Sequence, residues 1–300
     1  MTYSIVARDP KTGELGVAVQ SHYFSVGSVV TWARAGVGAV ATQSMVEVSY
    51  GPLGLELMSS GKSAGEALDA LLKADAKPEV RQVAMVDSRG SVAIHTGKKC
   101  IPFAGHVAGE QFSCEANLMS NDTIWGAMEK SYLAQGSLPL PERLVAALEA
   151  AEQAGGDIRG RQSAALLVVS PTVSPSYWSG RLVELRVEDH PEPVQELKRL
   201  LRLKRGYEWA ERGEDFLSSG KFEESREAFA RANQLAPEID ELRFWEGVSL
   251  LGSGRTNEAK AVLQPIFKKD ERWIQVTKSM KQIGMINAGE EVLAQLLSDS

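Results

Sequence analysis

Cysteine and histidine are scarce in this sequence, two of the first and four of the second in 300 residues. Cys100 and Cys114 lack CxxC spacing, which excludes a disulfide framework or a paired-cysteine zinc site and fits reduced thiols in a cytoplasmic protein. His22, His95, His106 and His190 share no ligand spacing, so neither a metal nor any other cofactor is expected. Excess positive charge is also missing. Lys and Arg number 33 against 39 Asp and Glu, a net charge of -6. Nucleic acid and a polybasic membrane anchor both call for the opposite balance. No apolar run approaches the roughly 18 residues of a transmembrane helix. Arg8, Asp9, Lys11 and Glu14 leave no room for a signal-peptide core in the first twenty residues. GxGxxG after a strand, GxxxxGK[ST], GxSxG and HExxH are all absent, which removes the commonest phosphate-loop, elbow-serine and zinc-hydrolase readings.

What is present is an ordinary folding composition, 43% hydrophobic and 24% charged, long enough for about two domains. TYSIVAR (2–8) and ELGVAVQS (14–21) flank the breaker-rich turn DPKTG and predict a hairpin. GVGAVATQS (36–44) predicts a strand buried on both faces. Two short helices are expected over 52–74, broken at SSGKS, then a hairpin over 81–96 turning at DSRG and a strand over 110–118. A helical region over 122–154, interrupted near GSLPLP, precedes strands at 163–170 and 181–187. Strand runs separated from helix runs favour antiparallel sheets with helical layers, an α+β class, over alternating βαβ units. The expected domains are 1–190, a linker helix over 191–204, and a helical domain over 205–300.

In the last third a period appears. Gly213, Gly220 and Ser225 recur as Gly247, Gly254 and Ala259, each 34 positions later. A 34-residue helix-turn-helix unit with small residues at the helix crossing is the tetratricopeptide signature, and an unrelated helical bundle is the plain alternative. Residues 271–297 would then form a degenerate capping unit. Repeats of this kind suit a protein or peptide partner.

Thr2 opens the first strand with no loose lead-in. Threonine is small enough for the initiator methionine to be removed ahead of it. An α-amine beside a hydroxyl would then give nucleophile and base in one residue, because that amine titrates near 7.7–8.0 in model compounds. A rigid strand would hold the pair in place. The bland reading is a β-branched residue starting a strand, and both stay open on these residues alone.

MTYSIVARDPKTGELGVAVQSHYFSVGSVV, AGVGAVATQS, YGPLGLELM, RQVAMVD, AGHVAG, GGDIRGRQSAALLVV and EDHPEPVQELKRLL, taken in order over residues 1 to about 203, resemble domain-of-unknown-function family 1028. The resemblance implies membership of the N-terminal nucleophile (Ntn) hydrolases, with a four-layer αββα sandwich of two antiparallel sheets and an amide-cleaving N-terminal Thr, Ser or Cys. It places Thr2 at the nucleophile position and aligns Asp9, Gln20, Ser21, Asp157, Arg159, Arg161 and Ser163 with the family's blocks. In that setting Gln20 and Asn117 can supply amide donors for an oxyanion. Asp9 or Asp157 can orient the amine, and Arg159 and Arg161 can clamp a substrate carboxylate. Alternatively, Asp157 and Arg159 simply pair and cap their loop. His106 in AGHVAG lines a pocket or sits in a plain turn, and Ser4 or Ser21 becomes the nucleophile if Met1 blocks Thr2. The expected function is hydrolysis of a small amide, peptide or acylated amine. The alternative is a non-catalytic binding or scaffold protein, and a homodimer fits either.

Overall fold

A computed structural model describes residues 2–176, 178–286, 289, 291 and 296. The chain divides into two compact units, Met1–Leu201 and Arg202–Ser300. The first contains two antiparallel sheets. β1 (Thr2–Arg8) and β2 (Leu15–Ser21) form the expected hairpin, and β3 (Thr31–Arg34), β4 (Gly38–Ser44), α1 (Tyr50–Ser59) and α2 (Ala64–Ala74) follow. Next come β5 (Arg81–Asp87), β6 (Val92–Thr96), β7 (Gly105–Gly109) and β8 (Phe112–Asn117), then α3 (Ile124–Ala134) and α4 (Leu140–Gln153). β9 (Ser163–Val169) and β10 (Arg181–Val187) complete a six-stranded sheet ordered β10-β9-β2-β1-β8-β7, while the four-stranded sheet runs β3-β4-β5-β6.

Successive strand residues point to opposite faces, and that parity assigns the layers. Tyr3, Ile5 and Ala7 join Cys114 and Leu166 beneath Met128 of α3 and Leu144 and Leu148 of α4. On the other face Val6, Val17 and Leu167 meet Ala39, Ala84 and Val86 of the second sheet. Val40, Val83 and Met85 pack under Leu55 and Met58 of α1 and Leu68 of α2. The order through the unit is helices, sheet, sheet, helices. Both faces of β1, β2, β4 and β5 are covered, which is why these strands read as nearly continuous apolar runs.

Two strands escape the sequence pattern, β3 and β7, and both lie at sheet edges. Short edge strands carry little periodic signal. β7 is GHVAG, expected to be a loop. A side chain at Gly105 would begin 2.5 Å from the Trp125 ring, and one at Gly109 would begin 2.1 Å from Phe112. Its glycines therefore mark close approach of aromatic rings within a strand rather than a turn.

α5 (Pro193–Ser218) begins in the first unit and continues into the second, which is helical, with α6 (Phe222–Leu235), α7 (Asp240–Gly252), α8 (Thr256–Lys269) and α9 (Arg272–Gln282). α6 and α8 have the same length and stand 34 positions apart. A Cβ on Gly213 would lie 3.0 Å from Phe229, and one on Gly247 would lie 2.4 Å from Leu263, again 34 positions on for both partners. The recurring glycines are thus where paired helices touch. Residues 191–204 do not behave as a linker, because Val194, Leu197 and Leu201 are buried in the first unit's core. The expected capping unit lies partly outside the described residues. No helix among the described residues is long and apolar enough to cross a membrane.

Candidate functional site

Thr2 sits on a central strand, paired across to Ser21 on β2 and Asn117 on β8. Its parity, shared with Val6, aims it into the space between the sheets. The Thr2 hydroxyl donates to Ser21 Oγ at 3.1 Å. Its carbonyl oxygen accepts from Gln43 Nε2 and Asn117 Nδ2, each at 3.4 Å. Those two amides come from opposite sheets, and both also donate to Gln82 Oε1, at 2.9 and 2.8 Å. Gln82 Nε2 in turn donates to Ala116 O and Thr96 Oγ1, both at 2.9 Å. A fully buried glutamine thereby stitches the sheets together beside Thr2.

A pocket of about 160 Å³ opens against Thr2, Ser21 and Gln43. Its wall is apolar, made by Val26, Val29, Val30 and Val46 with Tyr23, and Arg159 is its one charged residue. Asp157 holds that arginine with Nη2 to Oδ2 at 2.7 Å and Nε to Oδ1 at 3.1 Å, and the Arg159 backbone N–H donates to Oδ1 at 2.9 Å. The His22 backbone N–H fixes Asp157 Oδ2 at 3.2 Å. Ser163 anchors the wall, accepting from the Val26 N–H at 3.0 Å and donating to the Tyr23 carbonyl. Among the described residues, three of the four non-glycine residues with positive φ adjoin pocket or amide residues: Ser25 before Val26, Ser44 after Gln43 and Leu118 after Asn117. Backbone held in so sparsely populated a region concentrates at functional sites.

One pleat deeper lies a second polar row, with Ser4 opposite Glu115 and Glu115 opposite His106. Ser4 Oγ donates to Glu115 Oε1 at 3.0 Å. Complete burial pushes the Glu115 carboxyl well up, outweighing the Ser4 bond that favours its charged form. His106 Nδ1 meets Thr96 Oγ1 at 2.8 Å. That hydroxyl also accepts from Gln82 Nε2 at 2.9 Å, which ties the His106 ring to the glutamine that bonds both amides at Thr2. Partial burial, with His95 nearby, lowers the His106 pKa.

A family model described as a family of unknown function, DUF1028, matches residues 2–197. The chain belongs to the DUF1028 family. A crystal structure of a Silicibacter pomeroyi protein of the same family is similar, with 30% identity and a TM-score of 0.60 over 67% of this chain and 88% of that one. Curated proteins give no match.

Of the residues singled out in this DUF1028 sequence, the fold brings Thr2, Ser21 and Arg159 to one pocket, with Asp157 behind Arg159. Asn117 is adjacent to Thr2, but its amide is bonded to the Thr2 carbonyl and Gln82 rather than aimed into the pocket. Asp9 lies beyond the far end of β1, some 23 Å away at about 3.3 Å per strand residue. There it accepts from the Lys11 and Thr12 backbone N–H groups and pairs with Arg143 at 3.1 Å, so it does not reach Thr2. Gln20 pairs with Tyr3 on the helix-facing side of the sheet and cannot serve the pocket. Arg161 turns to Glu152 and Glu192. His106 belongs to strand β7 and bonds Thr96 instead of lining the pocket. Met1 lies outside the described residues.

Gln43, Gln82 and the valine wall were not foreseen. Gln43 and Gln82 did carry a signal, since each continues the alternation of alanines and valines facing the other sheet, where a polar side chain is unusual.

Proposed function

We propose that this DUF1028 domain is an Ntn-type amide hydrolase, acting through Thr2 once the Met1–Thr2 peptide bond is cleaved. The observation that carries the reading is the Thr2 hydroxyl on a doubly paired central strand, beside a pocket that also presents Ser21 and Arg159. The stacking of helices, two antiparallel sheets and helices agrees with the αββα arrangement of that superfamily. In this reading the freed α-amine takes the Thr2 hydroxyl proton as Oγ1 attacks the amide carbon. Arg159, held by Asp157, donates to the developing oxyanion. Collapse of the tetrahedral adduct breaks the C–N bond, the protonated amine gives its proton to the leaving nitrogen, and water then hydrolyses the acyl ester. The Gln43 and Asn117 amides fix the Thr2 carbonyl and so orient amine and hydroxyl together.

The alternative is a non-catalytic binding or scaffold protein, and one observation favours it: those same two amides are committed to Thr2 and Gln82, not to a site for an oxyanion. In both readings the helical unit is a tetratricopeptide-like platform for a protein or peptide partner. Intact mass of untagged protein tests the first requirement, the expected result being loss of one methionine. Thr2→Ala is then expected to abolish hydrolysis across a panel of small amides, while Thr2→Ser retains part of it. Retained Met1, or wild-type rates in Thr2→Ala, sinks the proposal.

A further inference from the structure

The Thr2 pocket is small, while the surface around its mouth is broad and apolar. The volume is about 160 Å³, and the wall is Val26, Val29, Val30 and Val46 with Tyr23. Pockets that take drug-sized ligands measure roughly 300–1,000 Å³, so this one has room for a single aliphatic side chain of valine or leucine size. Val26 and Val30 are almost fully buried, so that part of the wall is preformed rather than assembled around a ligand.

Loops from both sheets build the rim. Phe24 follows Tyr23 beyond the end of β2, and Met45 precedes Val46 beyond the end of β4. The Ile158 N–H donates to the Leu118 carbonyl at 3.3 Å, and the Leu118 N–H donates to the Ile101 carbonyl at 3.0 Å. Leu118 itself follows Asn117, the cross-strand partner of Thr2. Tyr23, Phe24, Met45 and Ile158 are all more than half exposed, and Ile101 is exposed as well. Apolar side chains of that size, gathered at one end of a folded unit, mark a surface that takes a partner. The charges beside them are met within the chain. Asp157 and Arg159, on either side of Ile158, pair at 2.7 Å, and Arg81, which donates to the Met45 carbonyl at 2.7 Å, pairs with Asp75 at 2.8 Å. The rim therefore favours an uncharged occupant.

We infer that the site takes an extended apolar polypeptide, with one small aliphatic side chain in the Thr2 pocket and larger apolar side chains along the rim on either side. An extended chain advances about 3.3 Å per residue, so the residues flanking the pocketed one pass over the rim. Each carries an amide, which brings a peptide bond to Thr2 when the small side chain is seated. A small amide would fill the pocket and leave the rim bare. A two-fold copy would meet the rim with the same rim and has no need of the pocket, whereas a peptide uses both. The inference rests on the reading of the Thr2 pocket as the substrate site, but binding tests it without turnover.

The test is fluorescence anisotropy of the full chain, as wild type and as Thr2→Ala, with dye-labelled, end-capped peptides that carry soluble serine-glycine tails. A Leu-Leu-Val-Leu-Leu centre is expected to bind about tenfold more tightly than the same peptide with Asp or Trp in place of Val, and about tenfold more tightly than Ser-Ser-Val-Ser-Ser. Phe24→Ser and Ile158→Ser, both surface changes, are each expected to weaken the leucine-flanked peptide severalfold and leave the serine-flanked one unchanged. Binding that ignores the central residue or the flanks, or no binding, overturns the inference. A wild-type dimer in sedimentation that Phe24→Ser dissociates assigns the rim to a second copy and overturns it too. Binding as expected without cleavage by wild type overturns the Thr2 mechanism and leaves the peptide site standing. Cleavage of small amides as fast as the leucine-flanked peptide does the reverse.

Discussion

The two ends of the space between the sheets are built from the same strands and the same face, yet by different means. At one end Val6, Val17, Ala39, Val86 and Leu167 fill the gap with apolar side chains. A strand pleat or two further on, Thr2, Ser4, Ser21, Gln43, Gln82, Glu115 and Asn117 take over, all nearly or fully buried. The apolar end is held by area and shape and has no direction. The polar end is held by bonds that fix individual atoms, and it keeps several buried oxygens without a protein partner, among them Gln43 Oε1, Asn117 Oδ1 and Glu115 Oε2. Buried groups of that kind recur where water, ligand or chemistry completes a site. One layer thus serves as core at one end and candidate site at the other.

The contrast can be broken from either side. Leu15→Ala at the apolar end is expected to have the largest effect, about 3 kcal/mol lost from the unfolding free energy of the first unit in urea, from lost transfer energy plus a cavity. Gln82→Leu at the polar end removes the acceptor shared by two buried amides and is expected to cost about 2 kcal/mol, read the same way. A loss as large as that of Leu15→Ala would show that the polar end carries as much of the stability as the packed one.

Glu115 gives a pH signature. Its carboxyl is raised by burial, so between the usual glutamate range and its native value the folded state holds one more proton than the unfolded chain. Stability then falls as pH rises, by at most about 1.4 kcal/mol per pH unit from this group. Denaturation midpoints of Glu115→Gln against wild type are expected to diverge with rising pH in the variant's favour, and parallel curves would remove Glu115 as the cause. The smallest stability change is expected for Thr2→Val, about 1 kcal/mol or less for one hydroxyl bond. Under the proposed function that same change abolishes turnover. Little lost stability with all activity lost separates the site from the core most cleanly.

Much of the architecture was legible in residue order. The β1–β2 and β5–β6 hairpins, the α1–α2 break at a glycine with φ of +99°, and the equivalence of α6 and α8 all follow from turn residues and periodicity. The edge strands β3 and β7 were not, because β3 is only four half-buried residues and β7 is bounded by glycines that read as a turn. The site was legible only in part. VAVQS in β2 and VATQS in β4 end in the same two residues, yet the first gives the pocket only its serine, Ser21, and the second gives it Gln43 as well as Ser44. Gln20 and Gln43 look interchangeable in the sequence, but one lies against Tyr3 under the helices and the other beside Thr2.

The sequence by itself determined most of the strands and helices, their order and the 34-residue spacing of α6 and α8, since turn chemistry, hydrophobic period and spacing are local properties. It also marked Thr2 as worth attention. Only the tertiary structure decided which face of each strand looks toward the other sheet. A strand covered on one side announces its inner face by alternation, whereas strands covered on both sides are apolar throughout and leave that choice to packing. That choice brought Thr2, Ser21, Gln43 and Arg159 together and sent Gln20 away.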